Sequence, residues 1–295
     1  MRYLSPWTVA AGLLALLPLF CFGFAGERLR KAIAGLPLLP RLTLPLLGVV
    51  PYLLVAVPSG TLRAGWLTLY LLLPAMVACL LWLASRLDEA CRGHWIDFAV
   101  LLTLGLAVDL RWLEPAWPHG VTAISKLLLL DAGLYGFLGV RGLDGVGFDL
   151  RVKGQDWKTG LWNFVLYAPG AILLGLAIGF LHLHLHPRMA GSWIVPLAWI
   201  FSFLFVALPE EIFFRGWMQN LLERRLGARA SLVVTSILFG LSHFNKRAAH
   251  FNWRYVLLAA IAGLFYGRAW RRDRRIAASA IAHATVDTVW GALLR

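Results

Sequence analysis

Apolar runs of about the length needed to cross a bilayer recur from one end of this 295-residue chain to the other. Hydrophobic residues make up 60% of the chain and charged residues only 15%, whereas soluble domains typically have about 25% charged residues. A membrane-spanning helix needs about 20 consecutive apolar residues. The sequence therefore predicts an all-α fold, a polytopic transmembrane helix bundle of about ten spans, with about eight to ten compatible with the pattern.

The predicted apolar segments are separated by short polar loops. We place them near residues 8–24, 42–58, 65–84, 95–113, 121–140, 160–182, 191–210, 229–245, 254–270 and 276–294. The longest polar stretch, 141–159, predicts a boundary between a membrane-embedded helical region, 1–150, and a second region, 151–295. In the fifth segment we interpret Lys126 and Asp131 as snorkelling or interfacial side chains.

The net charge of +13 comes mainly from basic residues in the loops between apolar runs. That distribution is typical of topology control in a multi-pass membrane protein, so nucleic-acid binding is not expected and the lipid bilayer is the expected environment. We interpret the first apolar run as a retained helix. The compact chain with short, arginine-rich loops suggests a prokaryotic protein of the cell (inner) membrane.

A pair of adjacent glutamates, Glu210 and Glu211, follows Pro209 inside a strongly apolar run. A carboxylate at membrane depth costs roughly 2.5–3.5 kcal/mol even on mild scales and usually marks a function. Glu211 and Arg215 are four residues apart on a helix and can pair, whereas Glu210 points about 100° away. The pattern therefore predicts one neutralised glutamate and one left to act as a general base, with Pro209 loosening the turn before them.

Two later apolar segments carry further polar side chains. Phe239 and His243 share one helix face, and Gly240 between them would let a neighbouring helix approach closely. His283 and Asp287 are one turn apart on the last segment. Counted from the basic loops on one side of the membrane, Glu210, His243 and His283 lie at depths of about 12–21 Å, which predicts one shared cavity.

This set of motifs, EExxxR, FxxxH and HxxxD on successive segments, resembles the CAAX-protease and bacteriocin-processing family (CPBP, Abi-type), which includes the Ras-converting CAAX endopeptidase. The resemblance implies an intramembrane protease core within 151–295. It implies that Glu210 and His243 activate a water molecule and that His283 and Asp287 stabilise the oxyanion. Glu211, Arg215 and Phe239 would be supporting residues. An ionised Asp287 cannot donate a hydrogen bond, so it would be protonated or would act by orienting His283.

The family is often described as metal-dependent, and Glu210, His243 and His283 could together hold Zn²⁺. We favour a mechanism without a metal or other cofactor, because the motifs lack the compact spacing of a zinc-binding helix. His182 and His186, also one turn apart, are better interpreted as interfacial than as a metal site.

The leading functional hypothesis is an intramembrane endopeptidase that cuts a membrane-anchored or lipidated protein or peptide. The alternative is a non-enzymatic membrane scaffold or immunity-type binding protein that uses the same cavity. A proton-coupled transporter is a third hypothesis, although the sequence lacks the internal repeat typical of that class.

Overall fold

The computed structural model describes residues 5–183, 193–246 and 250–294. Helices connected by turns and loops account for the fold, and these residues include no β-strand, so the predicted all-α class is confirmed. The chain forms two compact units, Met1–Asp144 and Gly145–Arg295.

In its described residues, the first unit contains six α-helices. They are α1 (Pro6–Ala34), α2 (Leu38–Thr43), α3 (Val50–Ala56), α4 (Ala64–Leu87), α5 (Trp95–Asp109) and α6 (Ala123–Gly133), with 3₁₀ turns at Leu44–Val49 and Glu114–Ala116 and a π-helical stretch at Leu134–Val140. A buried arginine, Arg141, follows that stretch and bonds Asp97 Oδ1 through Nε (2.9 Å) and Asp88 Oδ2 through Nη2 (2.7 Å). The double ion pair fixes the end of α4 and the start of α5 to the end of the π-helical stretch that continues α6.

The second unit contains six further α-helices in the part that the structure describes. They are α7 (Gly154–Ala177), α8 (Ile194–Ser202), α9 (Leu208–Glu211), α10 (Asn220–Leu241), α11 (Trp253–Asp273) and α12 (Ile276–Leu293), with π-helical stretches at Phe203–Ala207 and Ile212–Gln219. Asp156 caps the start of α7 by accepting from the Lys153 N–H at 2.7 Å, and its other oxygen accepts from Arg275 Nε at 2.7 Å. The starts of α7 and α12 are thereby joined.

Within the described residues, seven helical stretches are long and apolar enough to cross a membrane, slightly fewer than the predicted number. Helix α5 is too short, with 15 residues, and α11 carries several arginines towards its end. The predicted segments 191–210 and 229–245 fall in one stretch, Ile194–Leu241. That stretch changes direction at Gly227, whose φ of 78° is a conformation that glycine adopts without steric cost. His182 is exposed, and His186 lies outside the described residues.

The helix is loosened where the glutamate pair begins. Pro209 has no N–H to donate, and its ring would clash with the carbonyl four residues earlier in a regular α-helix. The π-helical stretch Phe203–Ala207 directly precedes α9 and widens this turn. The predicted loosening before the glutamates is confirmed, and such π-helical stretches are frequent at functional sites.

Helices α10 and α11 approach closely at Gly240. A Cβ atom added there would collide with the backbone carbonyl of Val256 and with Ala260, which confirms the close approach predicted from the sequence. Because a backbone carbonyl cannot move aside cheaply, the position accepts only glycine.

We predict that Gly240→Ala lowers the thermal stability of the purified protein, since overpacking typically costs about 1–3 kcal/mol. The matched control is Gly291→Ala in α12, where an added Cβ meets no atom within 4 Å; alanine should be neutral or stabilising there because of its better helix propensity. Thermal unfolding in detergent measures both. Equal effects of the two substitutions would contradict the assigned role of Gly240.

Candidate active site

Glu211 is the centre of a fully buried hydrogen-bond cluster. Its carboxylate accepts from Arg215 Nε at 2.9 Å and from the hydroxyl of Ser279, and its Oε1 lies 2.9 Å from His283 Nδ1. The predicted pairing of Glu211 with Arg215 is confirmed. The two α12 partners, Ser279 and His283, connect the EExxxR segment to the last helix, so Glu211 joins two of the three sequence motifs.

Glu210 lies in a different environment from its neighbour. Its side chain is 26% exposed, with Oε2 3.9 Å from His283 Nε2 and Oε1 3.8 Å from the ammonium of Lys246. The expectation that this glutamate stands apart from cationic groups is therefore wrong, because the chain after His243 turns Lys246 back towards it. Glu210 nevertheless differs from Glu211 in being partly accessible.

His243 is held by the backbone of its own helix. Its Nδ1 lies 2.8 Å from the carbonyl oxygen of Phe239. Because a carbonyl oxygen only accepts hydrogen bonds, Nδ1 carries the proton, and in the neutral ring Nε2 is the acceptor. The side chain is buried and its ring contacts Tyr255, with centroids 4.7 Å apart.

His283 is oriented by Glu211 rather than by Asp287. The separation of Nε2 from Asp287 Oδ2 is 3.7 Å, too long for a hydrogen bond, whereas Nδ1 bonds Glu211. The His283 ring also stacks on Tyr266, with centroids 4.6 Å apart. Asp287 instead accepts from the hydroxyl of Ser202 at 3.1 Å. The carboxylates of Glu210, Glu211 and Asp287 thus surround one imidazole ring. Their negative charge favours the doubly protonated ring, which donates from both nitrogens.

Phe239 packs between the polar groups of the site. Its ring centroid lies 5.0 Å from that of His243 and 5.6 Å from that of His283. The guanidinium of Arg215 lies over the same ring at 5.1 Å, a cation–π arrangement. Arg215 is fully buried, and its two terminal nitrogens have no hydrogen-bond partner among the described residues. The aromatic face therefore partly compensates a charge that Glu211 alone does not neutralise.

A cavity of about 80 Å³ opens beside these residues in the second unit. Its polar end consists of His243, His283 and Asp287. The remaining wall is apolar and comes from α7, α11 and α12, with Phe180, Tyr255 and Trp290 in mutual contact at centroid distances of 5.3–5.6 Å. The histidines of the second and third motifs therefore line a single cavity, as the depths predicted. Glu210, which was predicted to share it, is not among the lining residues and lies beside it, with Oε2 3.9 Å from His283 Nε2.

Several residues of the site were not evident from the sequence. None of the three motifs includes Ser202, Lys246, Tyr266 or Ser279. The site residues that they contact lie up to 85 positions away in the sequence. The one available signal is position: Ser279 lies one helical turn before His283 and so shares its face.

The alternative metal site requires Glu210, His243 and His283 to converge. In the part of the chain that the structure describes, no three His, Cys, Asp or Glu side chains are arranged to hold a metal ion. We therefore derive no step through a metal.

Comparison with known proteins gives one finding for this region. Residues 191–289 match the family model described as type II CAAX prenyl endopeptidase Rce1-like. The family resemblance is confirmed. The match includes Glu210, Glu211, Arg215, Phe239, His243, His283 and Asp287. Searches among curated proteins and among solved structures gave no match.

We predict that Glu211→Ala destabilises the protein by about 3–5 kcal/mol, the usual effect of removing one partner of a buried ion pair. Denaturation in detergent measures the change. The control is Glu27→Ala, because the Glu27 carboxylate is 68% exposed and pairs with Lys31 at the surface; such pairs contribute little. A Glu211→Ala protein as stable as Glu27→Ala would contradict the structural importance of this cluster.

Proposed function

We propose that this chain is an intramembrane endopeptidase of the CAAX-protease type, hydrolysing a peptide bond of a membrane-anchored or lipidated protein or peptide. The observation that carries the proposal is the state of His243. Its Nδ1–H donates a hydrogen bond to the Phe239 carbonyl. Nε2 is therefore the nitrogen that can act as a base. The family match over 191–289 supports the same reaction class.

In the proposed reaction, a water molecule is held between His243 Nε2 and the carboxylate of Glu210. These two groups remove one proton as the water oxygen attacks the carbonyl carbon of the peptide bond. The C–N bond then breaks, and the same groups return the proton to the leaving amine. Partial exposure of Glu210 suits this task, because the base must reach both water and substrate.

His283 is the proposed oxyanion donor. With Nδ1–H bonded to Glu211, a doubly protonated ring presents Nε2–H, the atom that lies near Glu210 and Asp287. A preorganised donor in a water-poor site stabilises developing negative charge more strongly than one in water. Asp287 stabilises the positive ring, whereas Glu211 and Arg215 hold it in place.

The decisive experiment compares cleavage by the wild type, Glu210→Gln and His243→Ala. We predict that each substitution lowers cleavage by at least about a hundredfold, within the usual contribution of general-base catalysis, while insertion and thermal stability are retained. Profiling of new N- and C-termini among membrane-anchored proteins measures this in cells. His182→Ala, an exposed histidine, is the control. A stable Glu210→Gln protein with full activity would refute the assignment of Glu210.

The same variants separate the enzyme from the alternative binding protein. A scaffold or immunity-type factor would still complement a deletion strain when Glu210 is replaced by glutamine, since packing is unchanged. Loss of complementation together with retained membrane insertion supports the protease.

We further propose that the protease needs no metal. Dialysis of the purified protein against a strong chelator should leave cleavage within about twofold of the untreated sample, since no metal-bound water is required. Cleavage that is lost on chelation and restored by added Zn²⁺ would establish the metal-dependent alternative with Glu210, His243 and His283 as ligands.

A further inference from the structure

The first unit contains a larger cavity that the proposed proteolysis does not use. Its volume is about 440 Å³, within the range of small-molecule sites. It is enclosed by α1, the 3₁₀ turn Leu44–Val49, the start of α3, α4 and α6. No residue of the three sequence motifs contributes to it.

Prolines in the walls shape this cavity. Pro18 lies inside α1 and Pro74 inside α4, and each removes the helical hydrogen bond to the carbonyl four residues earlier. Those carbonyls belong to Leu14 and Tyr70, which also line the cavity. Both prolines also line the cavity.

The cavity faces the lipid side of the unit. Its lining includes side chains that are 37–64% exposed, namely Leu14, Leu17, Leu44, Leu47 and Val50. These residues lie on stretches long and apolar enough to cross a membrane. A ligand of this cavity would therefore enter from the bilayer.

Asp131 is the polar group that a ligand of this cavity would contact. It lines the cavity, and its Oδ1 is enclosed by protein without a hydrogen-bond partner among the described residues. The interfacial or snorkelling position expected from the sequence is wrong, because Asp131 lies about 12 Å from either end of Ala123–Val140. An ionisable group buried at such a depth indicates a functional site.

We propose that this cavity binds a lipid-soluble alcohol, a molecule with an apolar body and one hydroxyl that bonds to Asp131. A hydroxyl both donates and accepts, so it satisfies the carboxyl group in either protonation state. A phospholipid fits poorly, because its charged headgroup would have to leave the interface to reach the middle of the membrane. An ammonium would carry the same desolvation cost.

Photo-crosslinking of the full-length chain in phosphatidylcholine nanodiscs tests the proposal. The probe is a long-chain alkanol that carries a diazirine, and the matched probe is the corresponding alkane, which neither donates nor accepts a hydrogen bond. We expect the alcohol to label cavity residues about tenfold more strongly than the alkane, as one hydrogen bond of about 1.4 kcal/mol would give. Asp131→Leu should reduce alcohol labelling to the alkane level, and Asp131→Asn should retain most of it.

A second pair of variants leaves Asp131 intact. Leu47→Trp at the mouth of the cavity should block labelling, whereas Leu39→Trp, at an exposed position outside the lining, should not. Equal labelling of the wild type by alcohol and alkane, undiminished labelling of Asp131→Leu, labelled residues outside the cavity, or stronger labelling by the corresponding alkylamine would each overturn the proposal. Because none of these readouts measures cleavage, they are independent of the proposed protease activity.

Discussion

The second unit depends on compensating a carboxylate that is completely removed from solvent. Taking an ion out of water costs several kcal/mol even after relaxation, and only well-aligned partners offset that cost. Glu211 receives donors from its own helix and from α12: Arg215 Nε, the Ser279 hydroxyl and His283 Nδ1. The carboxylate therefore determines both where α12 packs and how the imidazole of His283 faces the cavity.

Two adjacent residues of the same type acquire opposite environments because a helix rotates by about 100° per residue. Glu211 turns inward to donors, whereas Glu210 turns to a partly accessible edge near His283 and Lys246. The π-helical turns on either side of α9 and the ring of Pro209 create the irregular backbone that such an edge needs. The two adjacent carboxylates therefore differ in environment: Glu211 is fully buried among donors, and Glu210 is partly accessible, as the proposed general base must be.

Sequence reasoning succeeded where the physics is local. Apolar runs predicted the helices, and the four-residue spacing predicted the Glu211–Arg215 pair and the shared face of Phe239 and His243. It failed for contacts made only by tertiary packing, such as Lys246 near Glu210 and the stacking of Arg215 on Phe239. The ten predicted segments compare with seven candidate spans among the described residues, partly because segments 191–210 and 229–245 fall within the single stretch Ile194–Leu241, which is kinked at Gly227. The family match covers residues 191–289 and includes all three motifs, whereas the role of each residue remains a proposal that the contacts support.

Asp131 and Glu211 are both carboxyl groups within apolar helical segments, one in each unit, but their surroundings differ. Glu211 is surrounded by donors that the chain itself supplies, so its charge is part of the fold and its position is fixed. Asp131 Oδ1 has no such donor among the described residues, although an apolar cavity lies directly beside it. A carboxyl group without a partner at membrane depth is costly when ionised, and either protonation or a donor from a bound molecule lowers that cost. The contrast with Glu211 is the basis of the binding role that we propose for the first unit.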